Sequence, residues 1–256
     1  MVRSFWSAVV GDIVKAHWKK LLIGAVVVAL LAVTAGPWIY IHWIKDPAPA
    51  RLSINDVTTT SAGSTTGATS VGTTVGTTGS VVAAGNAWTI ANGSQLGYRV
   101  VEVLFGQKTE GVGRTNKVTG SLTLDGATVP TATFTVDMKS LKSDDARRDR
   151  KFTGEIMNTD KFPTSTFTLT TPIDLGTVPA DGKEITASAT GDLTLRGVTK
   201  PVTFDVTAKR TGATIGVSGA IDVKFADYSI ANPSNAAVTT EDHGLIEFAL
   251  AFRQGS

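Results

Sequence analysis

The sequence contains no cysteine and only three histidines among its 256 residues. Without cysteine, disulfides, thiolate catalysis and cysteine-ligated zinc are all excluded. His17 and His42 lie near the N-terminus, so imidazole chemistry in the rest of the chain would depend on His243 alone. We therefore expect no catalytic residue, no metal site and no cofactor, and we predict that the protein is not an enzyme.

The chain also has little net charge, +2, and the excess lies at its N-terminus. Arg3, Lys15, Lys19 and Lys20 against Asp12 give residues 1–20 a charge of +3, which leaves −1 for the remainder. A nearly neutral body lacks the basic surface that nucleic-acid binding requires. We expect no nucleic-acid partner.

Residues 21–44, LLIGAVVVALLAVTAGPWIYIHWI, contain no Asp, Glu, Lys or Arg. About 20 apolar residues span a bilayer as a helix. Trp38, Tyr40 and Trp43 cluster near the end of this run, where aromatic rings favour the headgroup level. Because a positively charged flank stays inside the cell, we predict a cytoplasmic basic segment over 1–20, one transmembrane helix over 21–44 and an extracytoplasmic remainder held at the cell membrane.

A cleaved signal peptide is the alternative for this apolar run. Its apolar region would normally be about 7–15 residues long and would end in small residues. The segment 34–36, Thr-Ala-Gly, offers only a weak cleavage site, and the apolar run continues past Pro37. The pattern therefore favours an uncleaved anchor.

The composition changes sharply after residue 44. Residues 58–80, TTTSAGSTTGATSVGTTVGTTGS, consist almost wholly of Thr, Ser, Gly and Ala with scattered Val. Such a segment buries too little apolar surface to offset the entropy lost on ordering. We predict a disordered Thr/Ser/Gly-rich linker over 45–86 with an average reach on the order of 35 Å.

From residue 87 onward, apolar and polar residues alternate with a period of two. Phe134, Val136 and Met138 are separated by Thr and Asp, and the same alternation recurs in 192–196 and 202–207. This pattern is typical of half-buried antiparallel strands. About eight such strands could form a sandwich or a closed barrel. The absence of a clear long amphipathic helix favours the barrel, which at this size can hold one ligand.

Two longer stretches resemble a known family, the YceI-like polyisoprenoid-binding proteins. They are GDLTLRGVTKPVTFDV (191–206) and SDDARRDRKFTGEIMNTDKFPTSTFTL (143–169), and the shorter segments AWTI and VTGSLTLDG precede them in the expected order. The resemblance covers about 87–252 and identifies 87–256 as the barrel domain. It implies an all-β, eight-stranded, antiparallel, lipocalin-like barrel with an apolar channel for a polyisoprenoid tail of the quinone or polyprenyl type. The long connection 101–117 departs from the common layout.

The alternation by itself leaves open whether the inward side chains merely fill the barrel, as they do in most small barrels. The resemblance implies an open channel instead. We expect the lipid-binding channel to be lined by Leu104, Phe105, Phe134, Val136, Met138, Met157, Phe167, Leu193, Leu195, Phe204 and Phe225.

The charged run at 144–151 has two interpretations. It is either a solvated helix capped by Ser143 or a cationic rim at which Arg147 and Arg148 contact a lipid headgroup or the bilayer surface. His243, within Glu-Asp-His-Gly, is expected in a turn before the last strand.

These patterns together predict a membrane-anchored extracytoplasmic protein that holds an isoprenoid lipid. Transfer of the lipid from bilayer to barrel exchanges one apolar environment for another, so a carrier or sensor fits better than a permanent store. The alternative is a membrane-tethered interaction module with a filled barrel and an unknown protein partner. An exported enzyme is a third possibility, but no pair of carboxylates is placed for acid–base chemistry.

Overall fold

The computed structural model describes residues 18, 20, 22–30, 35–36, 39, 47–58, 87–104, 106–178, 180–235 and 238–254. The chain divides into two units by its contacts. One comprises Met1–Pro47 with Val103–Thr109, and the other comprises Ala48–Glu102 with Glu110–Ser256.

The second unit is built almost entirely from β-strands. The strands are β1 (Ala87–Ile90), β2 (Gln95–Leu104), β3 (Gln107–Thr115), β4 (Val118–Asp125), β5 (Thr128–Asp137), β6 (Lys142–Ser143), β7 (Thr164–Thr171), β8 (Ile173–Asp174), β9 (Glu184–Leu195), β10 (Val198–Thr211), β11 (Thr214–Lys224), β12 (Val238–Thr240) and β13 (His243–Gln254). The short helical segments are Asn55–Thr58, Met138–Ser140, Ala146–Lys151, Phe152–Ile156 and Phe225–Tyr228.

Eight of these strands close a barrel. Their order is β1-β4-β5-β7-β9-β10-β11-β13, and β1 pairs with β13 to complete the circuit. Each neighbouring pair in the circuit is antiparallel. The prediction of an eight-stranded antiparallel barrel is confirmed. The closing strand β1 is short, since it pairs with β4 at 121–123 and with β13 at 252–254.

One barrel strand also belongs to an extension of the sheet. The end of β13 pairs with β1 at Phe252, whereas its beginning pairs with β2 at Leu245. Beyond β2, the next hydrogen-bonded strands of this extension are β3 and then β6. The long connection noted at 101–117 is therefore mostly the β2–β3 hairpin.

Residues 48–58, which we name the strap, pack on the outer face of the barrel. Ile54 is 5% exposed and Val57 is 2% exposed, and both are buried against Ala249 and Ala251 of β13. Outward positions of a barrel strand usually carry polar side chains. The small apolar residues at these two positions instead provide a surface for the strap.

A buried ion pair lies beneath the start of the strap. Arg99 Nε lies 2.6 Å from Glu247 Oε1, and both side chains are at most 4% exposed. Arg99 Nη2 also donates a hydrogen bond of 2.7 Å to the carbonyl of Pro49. Because Arg99 and Glu247 satisfy each other and the strap backbone, the strap is held by polar as well as apolar contacts.

The linker prediction for 45–86 is therefore wrong for residues 47–58, which are described and largely docked. The composition argument missed them because their apolar side chains find a partner face on a distant strand. Residues 59–86 lie outside the described residues, and so do residues 45 and 46.

The predicted transmembrane helix falls in the first unit. Residues 22–30 are helical and exposed, while much of the remainder of 21–44 lies outside the described residues. Among the residues that the structure describes, no helix has both the length and the apolar character needed to cross a bilayer.

Candidate functional site

The barrel interior holds a cavity of about 130 Å³ at one end. Leu122, Val206 and Leu250 form part of its wall. Val129 and Ile215 also line it, and they follow the β4–β5 and β10–β11 turns. The cavity therefore opens at the end of the barrel where these turns lie, which we name the mouth. Its size is close to that of the roughly 150 Å³ apolar cavity that can accept a benzene molecule.

Four phenylalanines form the floor of this cavity. Phe134, Phe167, Phe204 and Phe248 come from four different strands, and each lines the cavity. Their rings contact one another in a closed circuit, with centroids of successive rings 5.3 to 5.9 Å apart. Such tilted, stacked and edge-on contacts are the favourable geometries for aromatic rings. We name this layer the phenylalanine floor.

Glycines on neighbouring strands make room for the floor. A Cβ at Gly191 would lie 2.6 Å from Phe167 Cζ, and a Cβ at Gly219 would lie 2.7 Å from Phe248 Cζ. Both distances are far below ordinary van der Waals contact, so the rings occupy space that only glycine leaves free. Large and small inward residues therefore alternate around this level of the barrel.

The half of the barrel beyond the floor is filled. Leu193 is 0% exposed and Ile221 is 1% exposed, and neither lines the cavity. The predicted lining residues in this part of the hydrophobic core are Val136, Met138, Met157, Leu193, Leu195 and Phe225. They pack together, and none of them lines the cavity.

Three predicted lining residues, Phe134, Phe167 and Phe204, do line the cavity. Leu104 ends β2 and groups with the N-terminal unit, whereas Phe105 lies outside the described residues. The filled-barrel alternative describes the half beyond the floor but not the half at the mouth. Contact of any of these residues with a lipid stays a prediction.

The cations at the mouth are Lys209 and Arg210, which sequence reasoning missed. They are the charged residues among the otherwise largely apolar lining. Lys209 Nζ lies 3.3 Å from Glu184 Oε1, and Arg210 Nε donates a hydrogen bond of 3.1 Å to the carbonyl of Gly212. The available signal was that 209 and 210 end a long strand directly before the Thr211-Gly212 turn.

Arg147 and Arg148 do not lie at the mouth. They belong to the connection between β6 and β7, which lies at the opposite end of the barrel. Arg147 pairs with Asp145 at 3.2 Å, and Arg148 pairs with Asp144 and, at 3.6 Å, with Glu102. The expected cationic rim at these two residues is not part of the cavity, because the helix Ala146–Lys151 that carries them lies at the other end of the barrel and contacts β2 through Arg148 and Glu102.

His243 and Tyr98 belong to β13 and β2 near this filled end. His243 is the first residue of β13 and not part of a turn before it, because its backbone already pairs with Lys224 of β11. In the described residues no group of three or more His, Asp or Glu side chains is placed to hold a metal ion. Tyr98 stacks on Phe152 at 4.7 Å, and burial raises the pKa of its hydroxyl above the ordinary value.

A closed eight-stranded antiparallel barrel with an apolar cavity at one end is the architecture of barrels that hold a single small ligand. Residues 88–252 match the YceI-like domain, and the chain belongs to this family. The resemblance found in the sequence is thereby confirmed for the barrel domain.

Relatives and a solved structure agree with this assignment. UPF0312 protein VVA0736 of Vibrio vulnificus strain YJ016 is 33% identical over 148 residues, which are 54% of this chain and 68% of that protein. Protein YceI of Shigella flexneri is 42% identical over 72 residues, which are 28% of this chain and 34% of that protein. A polyisoprenoid binding domain from Saccharophagus degradans, implicated in plant cell wall breakdown, has a TM-score of 0.55 at 19% identity and covers 66% of this chain and 99% of its own. This last similarity shows a shared fold.

Proposed function

We propose that the protein binds the apolar chain of an isoprenoid lipid in the mouth cavity and does not act as an enzyme. The observation that supports this most directly is the cavity itself, whose wall is apolar and whose charged residues, Lys209 and Arg210, lie at its opening. Each CH₂ transferred from water to such a wall contributes roughly 0.8 kcal/mol. The name of the Saccharophagus degradans domain gives the same ligand class for a protein of the same fold.

The headgroup is proposed to sit at Lys209 and Arg210. Both side chains supply hydrogen-bond donors and no acceptor, so they suit a ligand that presents acceptor oxygens. A quinone carbonyl and a polyprenyl phosphate both do so, and the phosphate adds charge pairing. We further propose that the apolar segment 21–44 anchors the protein in the cell membrane with the barrel outside the cytoplasm.

Lipid analysis of the full-length protein tests the proposal. The protein is purified from its native membranes, extracted with organic solvent and analysed by mass spectrometry, and then titrated with isoprenoid quinones and polyprenyl phosphates. We expect a co-purifying isoprenoid and binding of at least one of the two classes. If no lipid is recovered and neither class of ligand binds, the proposal is overturned.

A matched pair of variants assigns the binding to the cavity. Ala187 lines the cavity, and its neighbour Ser188 is exposed on the outer face of the same strand. Ala187→Phe should fill the cavity and abolish binding, whereas Ser188→Phe places the same ring outside and should leave binding unchanged. Equal binding by both variants would place the lipid elsewhere.

A further inference from the structure

The phenylalanine floor divides the barrel interior at about half its height. Above it lies the mouth cavity, and below it lies packed hydrophobic core that includes Leu193 and Ile221. Phe134 pairs directly with Phe167 across β5 and β7, and Phe248 pairs directly with Gly219 across β13 and β11. The layer is therefore fixed by strand register rather than by a mobile loop.

The floor leaves no passage along the barrel axis. Successive ring centroids around the circuit are less than 6 Å apart, so the rings are in mutual contact. Phe167 and Phe248 are also backed by Gly191 and Gly219, which lie under the ring edges. Phe167 and Phe248 have no space to swing outward, because the backbone of Gly191 and Gly219 lies directly behind their rings.

We propose that the phenylalanine floor sets the chain length that the site accepts, so that its ligand is a short isoprenoid of about one or two units and not a long polyisoprenoid. This inference rests on the proposed function. With the polar head held at Lys209 and Arg210, the chain can extend only from the mouth to the floor. The cavity of about 130 Å³ is close in size to one that accepts a benzene molecule, so it encloses about one unit, and a second unit would lie in the opening beside Lys209 and Arg210.

A length series of isoprenoid alcohols tests the inference. The full-length protein is titrated by calorimetry with prenol, geraniol, farnesol and geranylgeraniol, and the heat given by the cavity-filled Ala187→Phe chain is subtracted. While units still enter the cavity, each should lower the Kd by on the order of a thousandfold, since each buried CH₂ is worth about fourfold. We expect this gain between prenol and geraniol, and roughly less than tenfold for each later unit.

Two phenylalanines of equal exposure provide a matched pair. Phe204 belongs to the floor and Phe225 lies in the filled half, and each is 9% exposed. We call the alcohol beyond which the Kd no longer falls steeply the plateau. Phe204→Ala should extend the cavity and move the plateau from geraniol to farnesol. Phe225→Ala removes the same ring beyond the floor and should leave the plateau at geraniol.

A third variant keeps the test decisive if loss of a ring prevents folding. Ala189 lines the cavity, lies opposite Phe204 in the β9–β10 pairing and is 2% exposed. Ala189→Leu adds bulk directly above the floor, so it should weaken geraniol binding while prenol binding is retained.

The outcomes separate the two proposals. A Kd that keeps falling by on the order of a thousandfold per unit through geranylgeraniol would overturn the floor while leaving lipid binding intact. Equal plateaus for Phe204→Ala and Phe225→Ala would also overturn it. If none of the alcohols, quinones or phosphates binds, the proposed function itself fails.

Discussion

Replacing Val57 by aspartate should release the strap from the barrel wall. Val57 is 2% exposed and packs on Ala249 and Ala251, with no cation described among these contacts. Burial of a valine side chain contributes about 1.5–3 kcal/mol, and an unpaired carboxylate in its place would cost more. Undocking should therefore become more favourable by at least about tenfold to a hundredfold.

The assay uses the absence of native cysteine in this chain. A Cβ at Gly216 would lie 3.1 Å from Thr58 Cγ2, so thiols introduced at these two positions are within reach of a disulfide. In the Thr58→Cys, Gly216→Cys background, oxidative cross-linking should be fast in the docked strap. Val57→Asp should slow it by about the same factor as the change in docking.

The matched control is Asn55→Asp, which introduces the same charge at an exposed position of the strap. It should cross-link at the rate of the background chain. If Val57→Asp cross-links just as fast, the strap is not held by its apolar side chains and the packing argument is refuted.

Three further predictions concern other parts of the barrel. Glu247→Ala removes the buried carboxylate that pairs with Arg99 and leaves it only the more exposed Glu110, so it should reduce the free energy of unfolding by about 1.5–3 kcal/mol in urea denaturation, whereas a loss below about 1 kcal/mol would contradict this. Hydrogen bonding to the Asp242 carboxylate raises the pKa of His243 above 6.5. The small stabilisation from this contact is therefore complete below pH 6.5 and disappears as the pH rises through the folded-state pKa. An NMR titration of His243 with a midpoint at or below 6.5 would be inconsistent with the contact. Trp88 lines the cavity, so isoprenoid binding should change the tryptophan fluorescence, and Trp88→Phe should abolish that change.

The candidate site was partly predictable. Phe134, Phe167 and Phe204 were identified because strand alternation shows which side chains point inward. The same rule also selected Leu193 and Phe225, which lie in the filled half, because alternation does not give the height of a residue along the barrel axis. Height depends on the register between strands that are distant in sequence.

For both the strap and the phenylalanine floor, the sequence contained a signal but did not identify the residues in contact. The run of apolar residues over 248–252 was a usable signal, because a strand covered on both faces loses its alternation. Gly191 and Gly219 were another, since glycine within a strand often marks a close approach of other atoms. Neither signal names its partner, and Ile54 lies about two hundred residues from Ala249 in the chain.

The sequence by itself determined the antiparallel strands and favoured a barrel, because side-chain alternation and turn residues are local properties of each strand. The resemblance to the YceI-like family came from the motifs at 143–169 and 191–206. Only the tertiary structure decided that half of the interior is hollow, that four phenylalanines close it, and that part of the presumed linker is bound to the wall. Those features arise where side chains from separate strands pack against one another. Whether these side chains fill the space between them depends on the strand register that brings them to the same level of the barrel.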